Sequence, residues 1–273
     1  MIRSAVTISL VPEARGGPFV FWDDLPTACL AAAKLEFDAI EIFPPSADAI
    51  APDTLWHLLN EHSLKVAAVG TGAGWVKHKL TLSSGDAGTR RKACDFVRSI
   101  IDFAGPFGAP AIIGSMQGRW QDGVSRETAL GYLSDSLEEL GEHAKSFRVP
   151  LLYEPLNRNE TNLINSAADA AAFVDRLATT NVRLLCDLYH MSIEETDIPA
   201  ALKAVDTRLG HLHFVDSNRR PAGNGSLDFA PIVAALEQIG YNGYASAEAL
   251  PWPDSMAAAE QTMAMYRKLF WKS

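Results

Sequence analysis

The feature that most constrains this 273-residue chain is an eightfold alternation of short apolar, β-branched-rich runs with longer segments of helical periodicity. The runs are Ser4–Leu10, Ala39–Phe43, Lys65–Thr71, Ala109–Met116, VPLLYEPL (149–156), VRLLCDLYH (182–190), LGHLHFVDS (209–217) and YNGYASAEAL (241–250). Helical stretches near Leu25–Glu36, Asp53–His62, Asp86–Phe103, Ser125–Phe147, Ser166–Ala178, Ile198–Val205, Phe229–Ile239 and Ser255–Phe270 separate them. Eight regular βα units predict a closed (β/α)8 TIM barrel of the α/β class, with an open doubly wound sheet as the alternative. No linker splits the chain, so residues 1–273 are expected to form a single domain, a length usual for such barrels.

Composition narrows the class of partner. With 48% hydrophobic and 21% charged residues the chain has the make-up of a soluble globular protein. A net charge of −9 argues against nucleic acid or an anionic membrane as the main partner. No apolar run approaches the length of a membrane span, and Pro12, Glu13 and Arg15 break the N-terminal run below the length of a signal-peptide core. Cys29, Cys94 and Cys186 are scattered and never in CxxC spacing, which fits reduced thiols in a cytoplasm. Asn159-Glu160-Thr161 and Asn224-Gly225-Ser226 match a glycosylation pattern by chance on that reading.

In a barrel of this kind the strand C-termini form the mouth where chemistry is done. Glu154, Asp187, His213 and Glu248 each end one of the last four runs, whereas the earlier runs end in IEIFPPS, AAVGTGAG and IIGSMQGR, which are poor in metal ligands. A metal is therefore expected on one side of the mouth, with a pocket shaped by the other. Taken singly, each carboxylate reads equally as a helix N-cap or an arginine partner, and a lone strand histidine reads as a hydrogen-bonded core residue. Four coincidences at adjacent strand ends favour the joint metal reading. Three carboxylates and an imidazole without a thiolate form a hard donor set that suits Mn²⁺, Mg²⁺ or Co²⁺ better than a structural zinc.

Other motifs are weaker. Gly70, Gly72 and Gly74 do not make GxGxxG and read as a pocket loop, not followed at once by a helix, with Trp75 against an apolar part of a substrate. Arg219, Arg220, Gly223 and Gly225 follow the seventh run, where barrels often bind phosphate. Arg219 would clamp a substrate oxygen or pair with Asp216. His190 would donate to a substrate oxygen or cap its loop, and Glu160 would orient His190, contact a terminal hydroxyl or stay solvated. His211 shares a strand face with His213 and reads as a satisfied core histidine or a supporting partner.

EPLNRNET (154–161), CDLYHM (186–191), HLHFVDSNRRPAGNG (211–225) and SAEAL (246–250) together resemble the ketose 3-epimerase branch, the tagatose and psicose epimerases, of the xylose-isomerase-like sugar isomerase/epimerase superfamily. VGTGAGW (69–75) and the stretch 108–119 are similar to its keto-gluconate epimerases. The resemblance implies a metal held by Glu154, Asp187, His213 and Glu248, with Mn²⁺ favoured, and a substrate held by Glu160, His190 and Arg219. It implies inversion of a carbon beside the carbonyl of a small keto sugar or keto sugar acid, with Glu154 and Glu248 exchanging the proton on opposite faces through a metal-bound cis-enediolate. Homo-oligomers, dimers or tetramers, are implied as well. The rival activities are aldose–ketose isomerisation of the hydroxypyruvate isomerase kind and, from another class, non-catalytic sugar binding. The apurinic-site endonucleases of the same superfamily need histidines that the third and fourth runs lack.

Overall fold

The computed structural model describes residues 1–121 and 123–271; Asp122, Lys272 and Ser273 lie outside the described residues. The strands are β1 (Arg3–Ser9), β2 (Phe21–Trp22), β3 (Ala39–Phe43), β4 (Lys65–Gly70), β5 (Ala111–Ile113), β6 (Leu151–Tyr153), β7 (Val182–Asp187), β8 (Leu209–His213) and β9 (Tyr244–Ala247). The helices are α1 (Leu25–Lys34), α2 (Pro52–His62), α3 (Ala73–His78), α4 (Ala87–Ala104) and α5 (Arg126–Lys145). They continue as α6 (Ala167–Val174), α7 (Leu188–Glu194), α8 (Ile198–Val205), α9 (Phe229–Gln238) and α10 (Ser255–Phe270).

All strand pairings are parallel, and β1 pairs with β9 from Arg3↔Tyr244 to Val6↔Ala247, which closes the sheet into a (β/α)8 barrel. The open doubly wound alternative is thereby excluded. The two-residue β2, which no sequence pattern announced, pairs with β1 beyond the end of β9 and extends the wall at the mouth. The closing seam is fastened by Arg3, which donates to the Tyr244 hydroxyl at 3.0 Å and lies over that ring. Aspartate or serine side chains cap α1, α4, α5, α6, α8, α9 and α10, satisfying amide donors that a helix start leaves open.

Two layers of core meet at the sheet. Outward strand residues such as Val6, Ile8, Ile40, Ile42 and Leu184 join the helices in one large apolar cluster. Inside the barrel, Ala68, Ile112, Leu152 and Leu185 pack together. Each stands two residues before Gly70, Gly114, Glu154 or Asp187, and strand residues two apart share a face. The mouth residues therefore sit on an apolar floor, which blocks water from below and fixes where their side chains begin.

One expectation needs correction. The glycine stretch 70–74 leads directly into α3, which starts at Ala73. The glycines there admit close neighbours instead of forming a nucleotide loop: a Cβ on Gly70 would lie 2.6 Å from the Phe43 ring. Among the described residues, no helix is long and apolar enough to cross a membrane.

All three cysteines are buried free thiols. Burial pushes Cys29 up to about 12 and also raises Cys94 and Cys186. Since the thiolate is the reactive form, a colorimetric thiol reagent at neutral pH is expected to find almost no reaction in the native protein and three thiols per chain after denaturation. Rapid native labelling would contradict this packing.

Candidate active site and metal centre

The last four strands deliver their polar ends to one point. Asp187 and His213 are register neighbours at the ends of β7 and β8, and Glu154 and Glu248 lie just past β6 and β9. His213 Nδ1 stands 3.1 Å from Asp187 Oδ2 and 3.6 Å from both Glu154 Oε1 and Glu248 Oε2. One ligand atom from each of the four residues falls within 4.8 Å of the others. Glu154, Asp187 and His213 are buried and Glu248 is partly exposed.

Local structure explains each placement. Tyr153 donates its hydroxyl to Gln117, whose amide donates to the carbonyls of Gly114 and Glu154. This clamp holds the chain at the end of β6. Asp187 serves as both an N-cap and a member of the cluster, so the two readings of it were not exclusive. Its Oδ1 accepts from the amides of Tyr189 and His190 at the start of α7, leaving Oδ2 for His213. Gly114 leaves room for Glu154, whose Oε2 would be 2.6 Å from a Cβ at that position.

A fifth group belongs to the cluster and was missed from sequence: Glu41, in the middle of β3. Its Oε1 is 3.1 Å from His213 Nε2 and its Oε2 is 2.7 Å from His211 Nε2. The β3 run, though poor in ligands at its end, therefore supplies a relevant carboxylate from its middle. A glutamate inside the apolar run AIEIF was the available signal, because such a charge is seldom buried unpaired. His211 proves to be both a satisfied core histidine and a support, since it helps fix Glu41, which in turn orients the His213 ring.

The electrostatics follow from crowding. Two like charges about 4 Å apart repel by about 4 kcal/mol at an effective dielectric near 20, so three converging carboxylates need positive charge among them. Burial, reinforced by Glu248 and Asp187, pushes the Glu154 carboxyl well above its usual range, although His213 pulls the other way. Burial raises Glu248 too, against the pull of His213 and Arg219. Asp187 behaves oppositely: burial would raise it, but the hydrogen bond and charge of His213 and the Arg219 guanidinium hold it below the normal range. Burial would lower His213, yet Glu41, Glu248 and Asp187 outweigh it and hold the ring well above the usual histidine range. Glu154 Oε1 is buried without a hydrogen-bond partner among the described residues, as expected of an atom reserved for a cation.

The three substrate candidates gather beside this cluster. Asn157 Oδ1 accepts from the Asn159 amide, so its Nδ2 faces His190 Nδ1 at 2.7 Å and donates to it. The His190 proton is then on Nε2, an unpartnered buried donor 3.8 Å from Glu154. Burial keeps this ring neutral. Arg219 bridges Glu160 at 3.1 Å and Glu248 at 3.2 Å and lies over the Tyr189 ring, with Nε unpartnered. Its guanidinium does not pair with the Asp216 carboxylate, the alternative reading, although the Arg219 amide donates to the Asp216 carbonyl. Asp216 instead accepts from the amides of Ser217, Gly223 and Leu227, so it occupies the loop that resembled a phosphate cradle. Arg220 lies over Trp252. A cavity of about 260 Å³ opens above the cluster, bounded by Glu154, Glu160, His190, Arg219 and Glu248 on one side and by Phe19 and Phe43 on the other.

A closed parallel barrel with buried acid–imidazole chemistry at its strand C-termini has the architecture of a barrel enzyme. The chain belongs to the xylose isomerase-like TIM barrel family, whose model matches residues 29–269. An L-ribulose 3-epimerase from Methylomonas sp. (strain DH-1) is 28% identical over 89% of this chain and 84% of its own length. A D-psicose 3-epimerase from Ruminiclostridium cellulolyticum is 31% identical over 77% of this chain and 73% of its own. The crystal structure of a D-allulose 3-epimerase from Methylomonas sp. in complex with D-allulose superposes with a TM-score of 0.84 at 23% identity, covering 98% of this chain and 97% of that one, and so shares the fold. These relatives are named as epimerases, and epimerases are isomerases, so the expectation of an isomerase stands.

Removing Glu41 would leave two buried imidazoles without their acceptor. Glu41→Ala is expected to destabilise the protein by roughly 3–5 kcal/mol, the usual consequence of breaking a buried pair, read as a lower midpoint in urea unfolding. An unchanged midpoint would mean that Glu41 supports nothing.

Proposed function

We propose that this protein is a divalent-metal-dependent sugar epimerase that inverts a carbon next to the carbonyl of a keto sugar or keto sugar acid. The observation that carries the reading is the convergence of Glu154 and Glu248, from the ends of β6 and β9 with β7 and β8 and their Asp187 and His213 between them, on one cavity also lined by His190 and Arg219. The named activities of the relatives support it.

The donor atoms would be Glu154 Oε1, Asp187 Oδ2, His213 Nδ1 and Glu248 Oε2, a hard set that favours Mn²⁺, with Mg²⁺ or Co²⁺ as alternatives. Bound there, the ion would act as a Lewis acid, polarising a carbonyl and acidifying the neighbouring C–H. Glu41 would hold the Nε2 proton of His213 and so keep Nδ1 a free donor atom. With Glu154 Oε1 and Glu248 Oε2 turned to His213, the second carboxylate oxygen of each residue would be left for proton transfer. One glutamate takes the proton from one face of the carbon and the other returns a proton to the opposite face. Burial raises the Glu154 carboxyl in the metal-free cluster, and a bound cation would pull it back down, leaving Glu154 ionised as a ligand must be and able to accept a proton on its other oxygen. His190 Nε2–H and the Arg219 guanidinium would hold substrate oxygens, and Glu160 keeps Arg219 in place.

General base catalysis contributes roughly 10²–10⁴-fold. Glu154→Gln and Glu248→Gln are each expected to lower turnover at least that far while the circular dichroism spectrum stays native. The assay is NMR of Mn²⁺-loaded protein with ketohexoses, keto-gluconates and hydroxypyruvate in deuterated water. Deuterium at one carbon of an inverted product, lost on chelation, is the expected result. Migration of the carbonyl would make the enzyme an aldose–ketose isomerase, and normal activity in both variants would remove the two-base mechanism.

A further inference from the structure

A second cavity, of about 480 Å³, adjoins the first on the side of the β4–α4 and β5–α5 connections. The two share Ser115 and Glu160 as walls, so they are compartments of one mouth. Nothing in the proton transfer requires the outer compartment. Its lining differs from that of the first: Trp75, Lys79, Thr81, Ser83, Thr89 and Arg119 supply one indole face, three hydroxyls and two cationic donors.

Several details mark it as built to receive a ligand. The Ser83 hydroxyl is buried, with Ser83 1% exposed, and has no hydrogen-bond partner among the described residues. Gly118 beside it has φ +83 and ψ −154, a conformation essentially restricted to glycine. A Cβ there would lie 2.5 Å from Ser83 Oγ and 2.7 Å from Thr81, so the wall has space only because no side chain stands at 118. Lys79 takes a left-handed conformation at the end of α3, and its ammonium lies over the Trp75 ring at 4.8 Å. Arg119 is tethered to the Asn159 carbonyl. Neither cation forms an ion pair among the described residues, in a chain with a net charge of −9.

We propose that this outer compartment is a subsite for a second hydroxylated ring, so that the preferred substrate is a keto sugar carrying a glycosyl group at the end remote from the carbonyl. The inference rests on the epimerase reading of the inner compartment and deepens it. Size decides between ligands. The outer cavity is larger than the inner one, which lies just below the about 300–1,000 Å³ usual for ligand pockets and suits one sugar unit. A lone carboxylate or phosphate would leave most of the outer space unfilled. Hydroxyls, an indole face and charged donors also match a polyol ring, which presents apolar C–H faces and a rim of oxygens. Because Glu160 is common to both compartments, the substituent would leave the inner sugar on the Glu160 side, away from its reacting carbon.

The test compares D-fructose, 6-O- and 4-O-hexosyl-fructose and fructose 6-phosphate as substrates of the metal-loaded enzyme. It is repeated with Thr81→Trp, which fills the outer cavity, and Ser83→Ala, which removes the unpartnered hydroxyl. We expect kcat/KM for a hexosyl-fructose to exceed that for fructose by at least about tenfold. Thr81→Trp should abolish that preference and Ser83→Ala reduce it, both with fructose turnover unchanged. Equal values for fructose and the disaccharides, or a preference for the phosphate over both disaccharides, would overturn the subsite and leave the epimerase reading standing. Calorimetric binding of the disaccharides gives a readout independent of turnover. Binding lost in Thr81→Trp supports the subsite even if no sugar is epimerised, and absent or variant-insensitive binding overturns it.

Discussion

The mouth of this barrel is organised by the convergence of like charges. Glu154, Asp187 and Glu248 approach one imidazole nitrogen within 3.1–3.6 Å, an arrangement that costs several kcal/mol unless positive charge is supplied. Arg219 from one side and a divalent ion at the centre would meet that need. Glu41 contributes from behind: by accepting from His213 and His211 it prevents the first ring from turning away. The apolar floor of Ala68, Ile112, Leu152 and Leu185 keeps water from relieving the crowding from below. Cluster, relay and floor therefore depend on one another.

The same crowding divides labour among chemically similar groups. Asp187 spends one oxygen on the amides of α7 and is held ionised by its histidine and arginine neighbours. Glu154 has no such donors, and burial makes its proton harder to remove. In the metal-free cluster one carboxylate is thus held as an anion, while burial favours the protonated form of another. Neutral His190, locked by Asn157 with its Nε2 proton toward the cavity, adds a donor that does not compete for the same charge.

Much of this was legible beforehand, for identifiable reasons. Strand runs with polar ends survive as strands because their apolar residues are buried on both faces, and Asp or Ser before a helical stretch marks its start by satisfying open amides. The four cluster residues could be found because each ends a run. Glu41 was overlooked because it sits inside one, where the surrounding Ile40 and Ile42 suggest only core. Arg219 was read as a substrate clamp with an Asp216 ion pair as the alternative, and the fold removes only that alternative: Asp216 turned to three backbone amides, and Arg219 to Glu160 and Glu248.

The sequence by itself determined the eight βα units, the barrel class and the four acid and imidazole residues at its mouth, because periodicity and residue type are local properties. Tertiary structure alone decided that Glu41, 172 positions from His213, would hold that ring, since β3 and β8 face each other only across the closed barrel. It also decided that the loop of Lys79–Thr89 and the loop of Arg119 would enclose a second compartment beside the first. Such contacts join residues distant along the chain through strand register and barrel closure, and no local pattern encodes the distance between them.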